Sequence, residues 1–279
     1  MTIEPMSLHG RYIVPALAQG LAVLSLFSRT RVRVSAPEIV QELKLSRTTV
    51  FRILHTLLAA GYLCRDDDDR HYKLGPAILG SGFSYLASLD FVEVAQPLLQ
   101  KLRDATGMSA HMAIRDGRDI VYVARYAAQT TIRSSVTIGT RFPVHATVMG
   151  RMMLLDMDKH ELAQLFPEGS LPRFTEQTPC NLPELQALLD GDNRRGYAAS
   201  QSFFERGVNS VAAPVRDVSG AIVAAINVTT VDDPGGLEEL HGSIKDKVLA
   251  TASELTRWIS RGAVYEQSAR AMLELNSGA

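Results

Sequence analysis

Cysteine is scarce: Cys64 and Cys180 are the only two in 279 residues, and they form no CxxC pair. That excludes a disulfide framework and a thiolate zinc site, and it suits a reducing cytoplasm; each reads as a small buried hydrophobe. Net charge is nearly absent too, at −1, so the chain as a whole is no polybasic binder of nucleic acid. No apolar run approaches a membrane span, and the first residues lack the basic stretch and apolar segment of a secretory signal. The expectation is a cytoplasmic protein that makes no membrane contact. Catalytic signatures are missing as well. There is no GxSxG elbow and no P-loop; Gly80-Ser81-Gly82 begins like a dinucleotide fingerprint, but Tyr85 stands where the third glycine is required. No HxxxH or His–carboxylate cluster indicates a metal. The sequence therefore predicts no catalytic residue, no metal and no cofactor.

What is present is enough chain for two ordinary domains, with a hydrophobic content of 46% that supports large cores. The charge is unevenly spread: residues 1–75 hold ten Lys/Arg against seven Asp/Glu, and the rest holds 19 against 23. The small basic excess lies at the N-terminal end, where DNA contact is expected.

After a loose tail, a first helix begins at Pro15, with Leu17, Leu21, Leu24 and Phe27 at three- and four-residue steps. Ser28 to Arg33 is a basic connector. Ser35 caps a second helix, with Glu38 completing a capping box, and Ile39, Val40 and Leu43 form its apolar face. Ser46 caps a third helix, RTTVFRILHTLLAA, whose inward stripe is Val50, Ile53, Leu54, Leu57 and Leu58; Gly61 ends it. Two strand-like runs, Tyr62–Arg65 and Arg70–Leu74, flank Asp66 to Asp69 as a hairpin, and Gly75-Pro76 marks a boundary.

Beyond it, Ala77–Leu89 reads as a linker helix and Phe91–Thr106 as an amphipathic one. Strand texture follows: a hairpin from His111 to Ala124 turning at Asp116-Gly117, a further strand over Thr131–Ile138, and a second hairpin, Ser210–Arg216 with Ile222–Thr229. Val148–Leu155, Lys159–Phe166 and Pro183–Arg194 read as helices, and Leu237–Ser260 as a long final one, with the last residues frayed or a short extra helix. The order predicts an α+β fold: an N-terminal winged helix-turn-helix followed by an α+β domain with one main sheet.

The mechanical logic of the first part is DNA reading. The third helix fits the major groove, and its outward positions near Ser46, namely Arg47, Thr48, Thr49 and Arg52, are free to meet bases and phosphates. Arg70, His71 and Lys73 on the wing reach the neighbouring backbone. The four aspartates at its tip repel DNA, so the tip is expected to point away. One recognition helix reads few base pairs, which predicts a symmetric homodimer on double-stranded operator DNA. The stripe Leu17, Leu21, Leu24 and the helix Ala77–Leu89 are the expected dimer surfaces.

These residues resemble the IclR family of bacterial regulators. The resemblance rests on Gly20-Leu21-Ala22-Val23-Leu24, Leu45–Val50, Arg52-Ile53-Leu54, Gly61-Tyr62-Leu63 and Tyr72–Pro76. It continues through Asp116-Gly117, Ile120-Val121-Tyr122, Gly139-Thr140-Arg141, His145-Ala146-Thr147, Gly150-Arg151, Gly196-Tyr197, Glu205, Gly207 and Ala212–Val215. Gly139–Arg151 and Ala225-Ile226-Asn227-Val228 look most like the PcaU/PobR subgroup, which regulates breakdown of aromatic acids; Val148, Met152 and Thr230 depart from its pattern.

The resemblance implies a GAF-like C-terminal domain, through which a homotetramer forms, with a small-molecule pocket, and the partition is then 1–13 tail, 14–76 winged helix-turn-helix, 77–90 linker helix, 91–261 GAF-like effector-binding domain and 262–279 C-terminal extension. Local chemistry fits a small carboxylate effector. At Thr147, Val148, Met149 and Gly150 a loop turns into a helix, where free amides hold an anion. Asn227 and Thr229 are two apart on a strand and share a face; the resemblance carries both to the pocket, with Ser210 on the preceding strand and Ser200 on the loop before it. Arg125, Arg133 and Arg141 are candidates to pair with a carboxylate, while His111 and His145 read as packing residues. Two other readings stay open: an enzyme acting on a small molecule in the C-terminal domain, and a regulator without a ligand whose second domain only oligomerises.

Overall fold

Local capping chemistry starts and stops the first helices. In α1 (Pro15–Leu24) a proline fills the first turn, where its missing N–H costs nothing. Ser35 caps α2 (Ala36–Leu43) in a reciprocal capping box with Glu38, and Lys44 ends that helix in the left-handed region at φ 52°. Ser46 caps α3 (Arg47–Ala59), its hydroxyl accepting from the Thr49 amide. A computed structural model of the chain describes residues 12–28, 30–128, 136–231 and 240–276. It divides into two compact units, 1–88 and 89–279.

In the first unit the three helices close on a core of Val23, Phe27, Val34, Ile39, Val50, Ile53, Leu54, Leu63 and Tyr72. Leu24 is half-buried against it, so the expected exposed stripe on α1 is reduced to Leu17 and Leu21. The wing has three strands: β1 (Val34–Ser35), β2 (Leu63–Arg65) and β3 (His71–Leu74), in the order β1-β3-β2 and all antiparallel. Gly75 lets the hairpin base close, because a Cβ there would lie 2.2 Å from the Gly61 carbonyl oxygen. Helix α4 (Ala77–Ala87) completes this unit.

The second unit opens with α5 (Asp90–Thr106) and then β4 (Ser109–Asp116), β5 (Asp119–Tyr126) and β6 (Arg141–Pro143). A single 3-10 turn, Val144–Ala146, leads into α6 (Val148–Leu154), followed by α7 (Lys159–Leu165) and α8 (Leu182–Arg195). Strands β7 (Ala198–Gln201), β8 (Val208–Arg216) and β9 (Ile222–Val231) follow; a helical turn, Leu240–Ile244, breaks at Gly242 before α9 (Lys245–Asn276). The six strands form one antiparallel sheet, β6-β5-β4-β9-β8-β7.

Every residue of α6 is buried, as suits a helix apolar nearly all round. It packs on one face of the sheet against the small side chains Ala113, Ala198, Ala212 and Ala225. Helices α5 and α9 cover the opposite face, where Met112, Val211, Ala213, Ala224 and Ile226 are buried. Period-two alternation puts His111 on the Ala113 face, Ser200 with Ala198, Ser210 with Ala212, and Asn227 and Thr229 with Ala225. One face of the sheet is thus small and apolar under α6 and polar farther along.

The structure corrects several expectations. β1, β6 and β7 were not foreseen, so Ser200 lies on a strand and not a loop. Residues 136–138 are not strand, and 131–135 lie outside the described residues. The final helix does not stop near residue 260 but continues to Asn276, so 262–276 prolong α9 and are neither a frayed tail nor a separate helix. No single described helix is long and apolar enough to cross a membrane.

Candidate functional site

In the first unit the capping of α3 decides which side chains are free. Ser46 and Thr49 are joined through their hydroxyls at 2.8 Å, and the Thr49 amide donates to Ser46, so these two hold the helix start. The outward face is Arg47, Thr48, Phe51, Arg52 and His55, all exposed. Phe51 is 67% exposed and stacks on His55 with ring centroids 6.4 Å apart. Sequence reasoning passed over this pair, although Phe51 lies four residues beyond Arg47 and so on its row of the helix.

The wing differs from expectation in its charges. Asp66 is buried instead of exposed at the tip; it pairs with Lys73 and lies 3.2 Å from Arg33. The hydrogen bond from Lys73 is the main cause that lowers the Asp66 pKa, and the same bond raises that of Lys73. Lys73 is therefore engaged inside the wing. Asp68 accepts from the amides of Arg70 and His71 and from the His71 ring at 2.6 Å, which brings its carboxyl down to about 2. Arg70 is exposed.

In the second unit a cavity of about 260 Å³ opens over the polar end of the sheet. Its floor is His111, Ser200, Ser210, Asn227 and Thr229; Thr147, Val148 and Met149 border it at the start of α6. Tyr122, Phe142, Phe203, Phe204, Val136, Val208 and Val231 supply apolar walls, and Glu205 is the one carboxylate that lines the cavity among the described residues. No lysine or arginine lines it among the described residues. Aromatic rings run along one side: Tyr122 meets Phe142 edge-on at 5.7 Å, and Phe142 lies 4.6 Å from Phe204.

The floor is a hydrogen-bonded row. Asn227 Oδ1 accepts from the His111 ring at 3.0 Å, Asn227 Nδ2 donates to Thr229 Oγ1 at 2.9 Å, and Ser210 Oγ lies 2.9 Å from the same oxygen. Burial lowers the His111 pKa to about 4, with the charge of Arg125 acting in the same direction and the bond to Asn227 opposing. Burial alone raises that of Tyr122.

Seven of the eight residues expected at the ligand site line this cavity; Gly150 does not. Its amide donates to Thr147 Oγ1 at 3.0 Å, and a Cβ would lie 1.9 Å from the Val144 carbonyl oxygen, so glycine serves close packing there. His111, expected as packing, is part of the cavity wall, whereas His145 bonds to the Pro172 carbonyl and packs on Phe166 and Phe174. Arg141 pairs with Asp116 and Asp119 outside the cavity. Arg125 sits opposite His111 on β5 but does not line the cavity, and Arg133 is outside the described residues. Alternation from Ala113 would have found His111. The walls Phe203, Phe204 and Glu205 come from the link between β7 and β8, which carries no periodic signal.

Behind the Phe203 wall, Arg151 donates to the Ala199 carbonyl at 3.0 Å and lies over the Phe203 ring at 4.6 Å. It is a positioning residue for that wall, tied to α8 through Asp192. Burial holds the Asp192 carboxyl above its usual range, against the pull of Arg151 and Arg195.

Comparison with known proteins gives consistent matches. The IclR helix-turn-helix domain model matches residues 16–67, and the bacterial transcriptional regulator IclR C-terminal model matches 83–257. The Pca regulon regulatory protein of Pseudomonas putida is 34% identical over 216 residues, covering 77% of this chain and 74% of that one. A crystal structure described as a transcriptional regulator from Rhodococcus sp. RHA1 is 36% identical, with TM-score 0.77, over 88% of this chain and 98% of that one. An IclR homolog from Microbacterium hydrocarbonoxydans, complexed with 4-hydroxybenzoate, shares the fold at 21% identity and TM-score 0.75, over 87% and 98%.

Proposed function

This chain belongs to the IclR family of DNA-binding transcriptional regulators, and we propose that it reads an operator as a symmetric oligomer and responds to a small aromatic acid. In this reading residues 14–76 bind DNA, 77–90 link, and 91–261 bind the effector. Arg47, Thr48 and Arg52 meet base edges and phosphates from the exposed face of α3, and Arg70 meets the backbone from the wing. Leu17 and Leu21 on α1 and Leu79, Phe83 and Tyr85 on α4 are exposed apolar side chains that a second copy would cover.

One observation carries the effector reading. A single cavity gathers Thr147, Ser200, Ser210, Asn227 and Thr229 on one side and aromatic rings on the other. Its volume of about 260 Å³ exceeds the roughly 150 Å³ that admits a benzene ring. The relative named for the pca regulon and the Microbacterium homolog with 4-hydroxybenzoate support the aromatic class. Hydroxyl, amide and imidazole groups would bind the polar edge of the effector, because lysine and arginine are absent from the lining among the described residues.

A thermal-shift panel of benzoate, hydroxybenzoates and short aliphatic acids tests this. A ligand at 100 times its Kd stabilises its site by about 2.7 kcal/mol. Stabilisation without turnover, together with a change in operator affinity, is the expected result. Turnover would favour an enzyme, and stabilisation by none would favour a regulator without a ligand.

A further inference from the structure

The polar floor of the cavity is a row of hydrogen bonds with one end left open. Asn227 sits at its centre. Its Nδ2 donates to Thr229 Oγ1, which turns its Oδ1 toward Nδ1 of His111 at 3.0 Å. A carbonyl oxygen only accepts, so Nδ1 carries the imidazole proton. In a neutral ring Nε2 is then a bare acceptor. It is buried without a hydrogen-bond partner among the described residues, and His111 is only 1% exposed while its ring belongs to the cavity wall. A buried polar atom in that state is costly unless something bound supplies its partner.

The surroundings keep the ring neutral. Burial brings its pKa down to about 4, and Arg125, directly across on β5, pushes the same way. Tyr122 meets the ring edge-on at 5.4 Å, and Glu205 is the one charged group lining the cavity among the described residues.

We propose that Nε2 of His111 accepts a hydrogen bond from a hydroxyl or N–H group of the effector, and so makes the cavity select ring-bearing ligands that carry such a donor. This rests on the reading of the cavity as the effector site. A carboxylate at the same nitrogen would set two acceptors against each other and would bind only with uptake of a proton. A hydroxyl or an amine needs none. With the Asn227 amide turned so that Nδ2 donates to Thr229 and Oδ1 faces Nδ1, the tautomer that leaves Nε2 bare is in place before the ligand arrives.

The test has two arms on the full chain. In the first, ¹⁵N NMR of histidine-labelled protein, with His111 assigned from the His111→Gln spectrum, reports the free protein. Nδ1 protonated and Nε2 bare from pH 5 to 8 is expected; a protonated Nε2 overturns the proposal. In the second, calorimetry compares the three hydroxybenzoates and 4-aminobenzoate with benzoate and 4-methoxybenzoate, in two buffers of different ionisation enthalpy. At least one donor-bearing acid binds roughly ten- to a hundred-fold more tightly than benzoate and the methyl ether, with no proton taken up. His111→Phe erases that preference, and His111→Gln, which keeps an acceptor near Nε2, retains part of it. Equal binding of acids with and without a donor, or uptake of one proton per ligand, overturns the proposal. If none of these acids binds, the aromatic-acid reading fails, and the tautomer alone decides the assignment of His111.

Discussion

Arg151 Nε lies 2.9 Å from Asp192 Oδ2, with both side chains sealed from solvent. Such a pair costs much desolvation, and removing Arg151 leaves the buried Asp192 carboxyl with only the half-exposed Arg195 to match it. Arg151→Ala should therefore lower stability by about 3–5 kcal/mol in urea unfolding, whereas the Arg151→Met, Asp192→Leu double variant should recover most of it. Equal losses in the single and double variants would contradict this.

Gly150 faces the Val144 carbonyl too closely for any side chain. Gly150→Ala forces apart α6 and the turn that carries Ala146 into the cavity wall. Overpacking of this kind costs about 1–3 kcal/mol, so Tm of the second unit should fall by roughly 2–12 °C. Scanning calorimetry checks it, and an unchanged Tm would place the residue in open space.

Acid should unmask His111. Its pKa is about 4 in the folded chain and about 6.5 when unfolded, so between these values the unfolded state binds more protons. The contribution is complete above pH 6.5 and falls as pH drops toward 4, by up to about 3 kcal/mol. The stability difference between the parent and His111→Phe, followed from pH 7 to 4, should shrink over that window. A flat difference would mean that the ring titrates alike in the folded and the unfolded chain.

Several of these features were legible in the sequence because they are local. Ser35 with Glu38, and Ser46 before the Arg47 helix, announce α2 and α3 by chemistry that acts within three residues. The alternation Ala225, Asn227, Thr229 likewise needs only one strand, and the resemblance to known regulators supplied Ser200 and Ser210. What escaped is short or non-local. β1 and β6 hold two and three residues, too few for a period to register, and β7 reads Ala-Ala-Ser-Gln without hydrophobic alternation. Gly262, just past the expected helix end at Ser260, costs only about 1 kcal/mol inside a helix, and α9 runs through it. Asp66 looked like part of an acidic tip because nothing in the run Asp66–Asp69 marks which carboxylate turns inward, to Lys73 across the hairpin and to Arg33, 33 positions away.

The wing separates two kinds of basic residue. Arg47→Ala and Arg52→Ala should each weaken operator binding by about 1–3 kcal/mol, and Arg70→Ala should weaken all DNA alike and reduce the salt slope by about one. Lys73→Ala should leave that slope nearly unchanged, because its ammonium serves Asp66, and should instead loosen the wing hairpin. Salt titrations of DNA binding, read beside amide exchange of residues 63–74, distinguish the two; a slope change in Lys73→Ala would return it to the DNA contacts.

If occupancy of the cavity is felt at the operator, fluorescence anisotropy of labelled operator DNA will register it. The ratio of operator affinities with and without the acid that stabilises the protein should be roughly 5- to 150-fold in the parent chain, corresponding to a coupling of about 1–3 kcal/mol. In Asn227→Leu, which fills the floor of the cavity and breaks its row of hydrogen bonds, that ratio should collapse to one. A ratio of one in the parent with acid bound, or a ratio that survives in Asn227→Leu, would mean that the cavity does not govern operator binding.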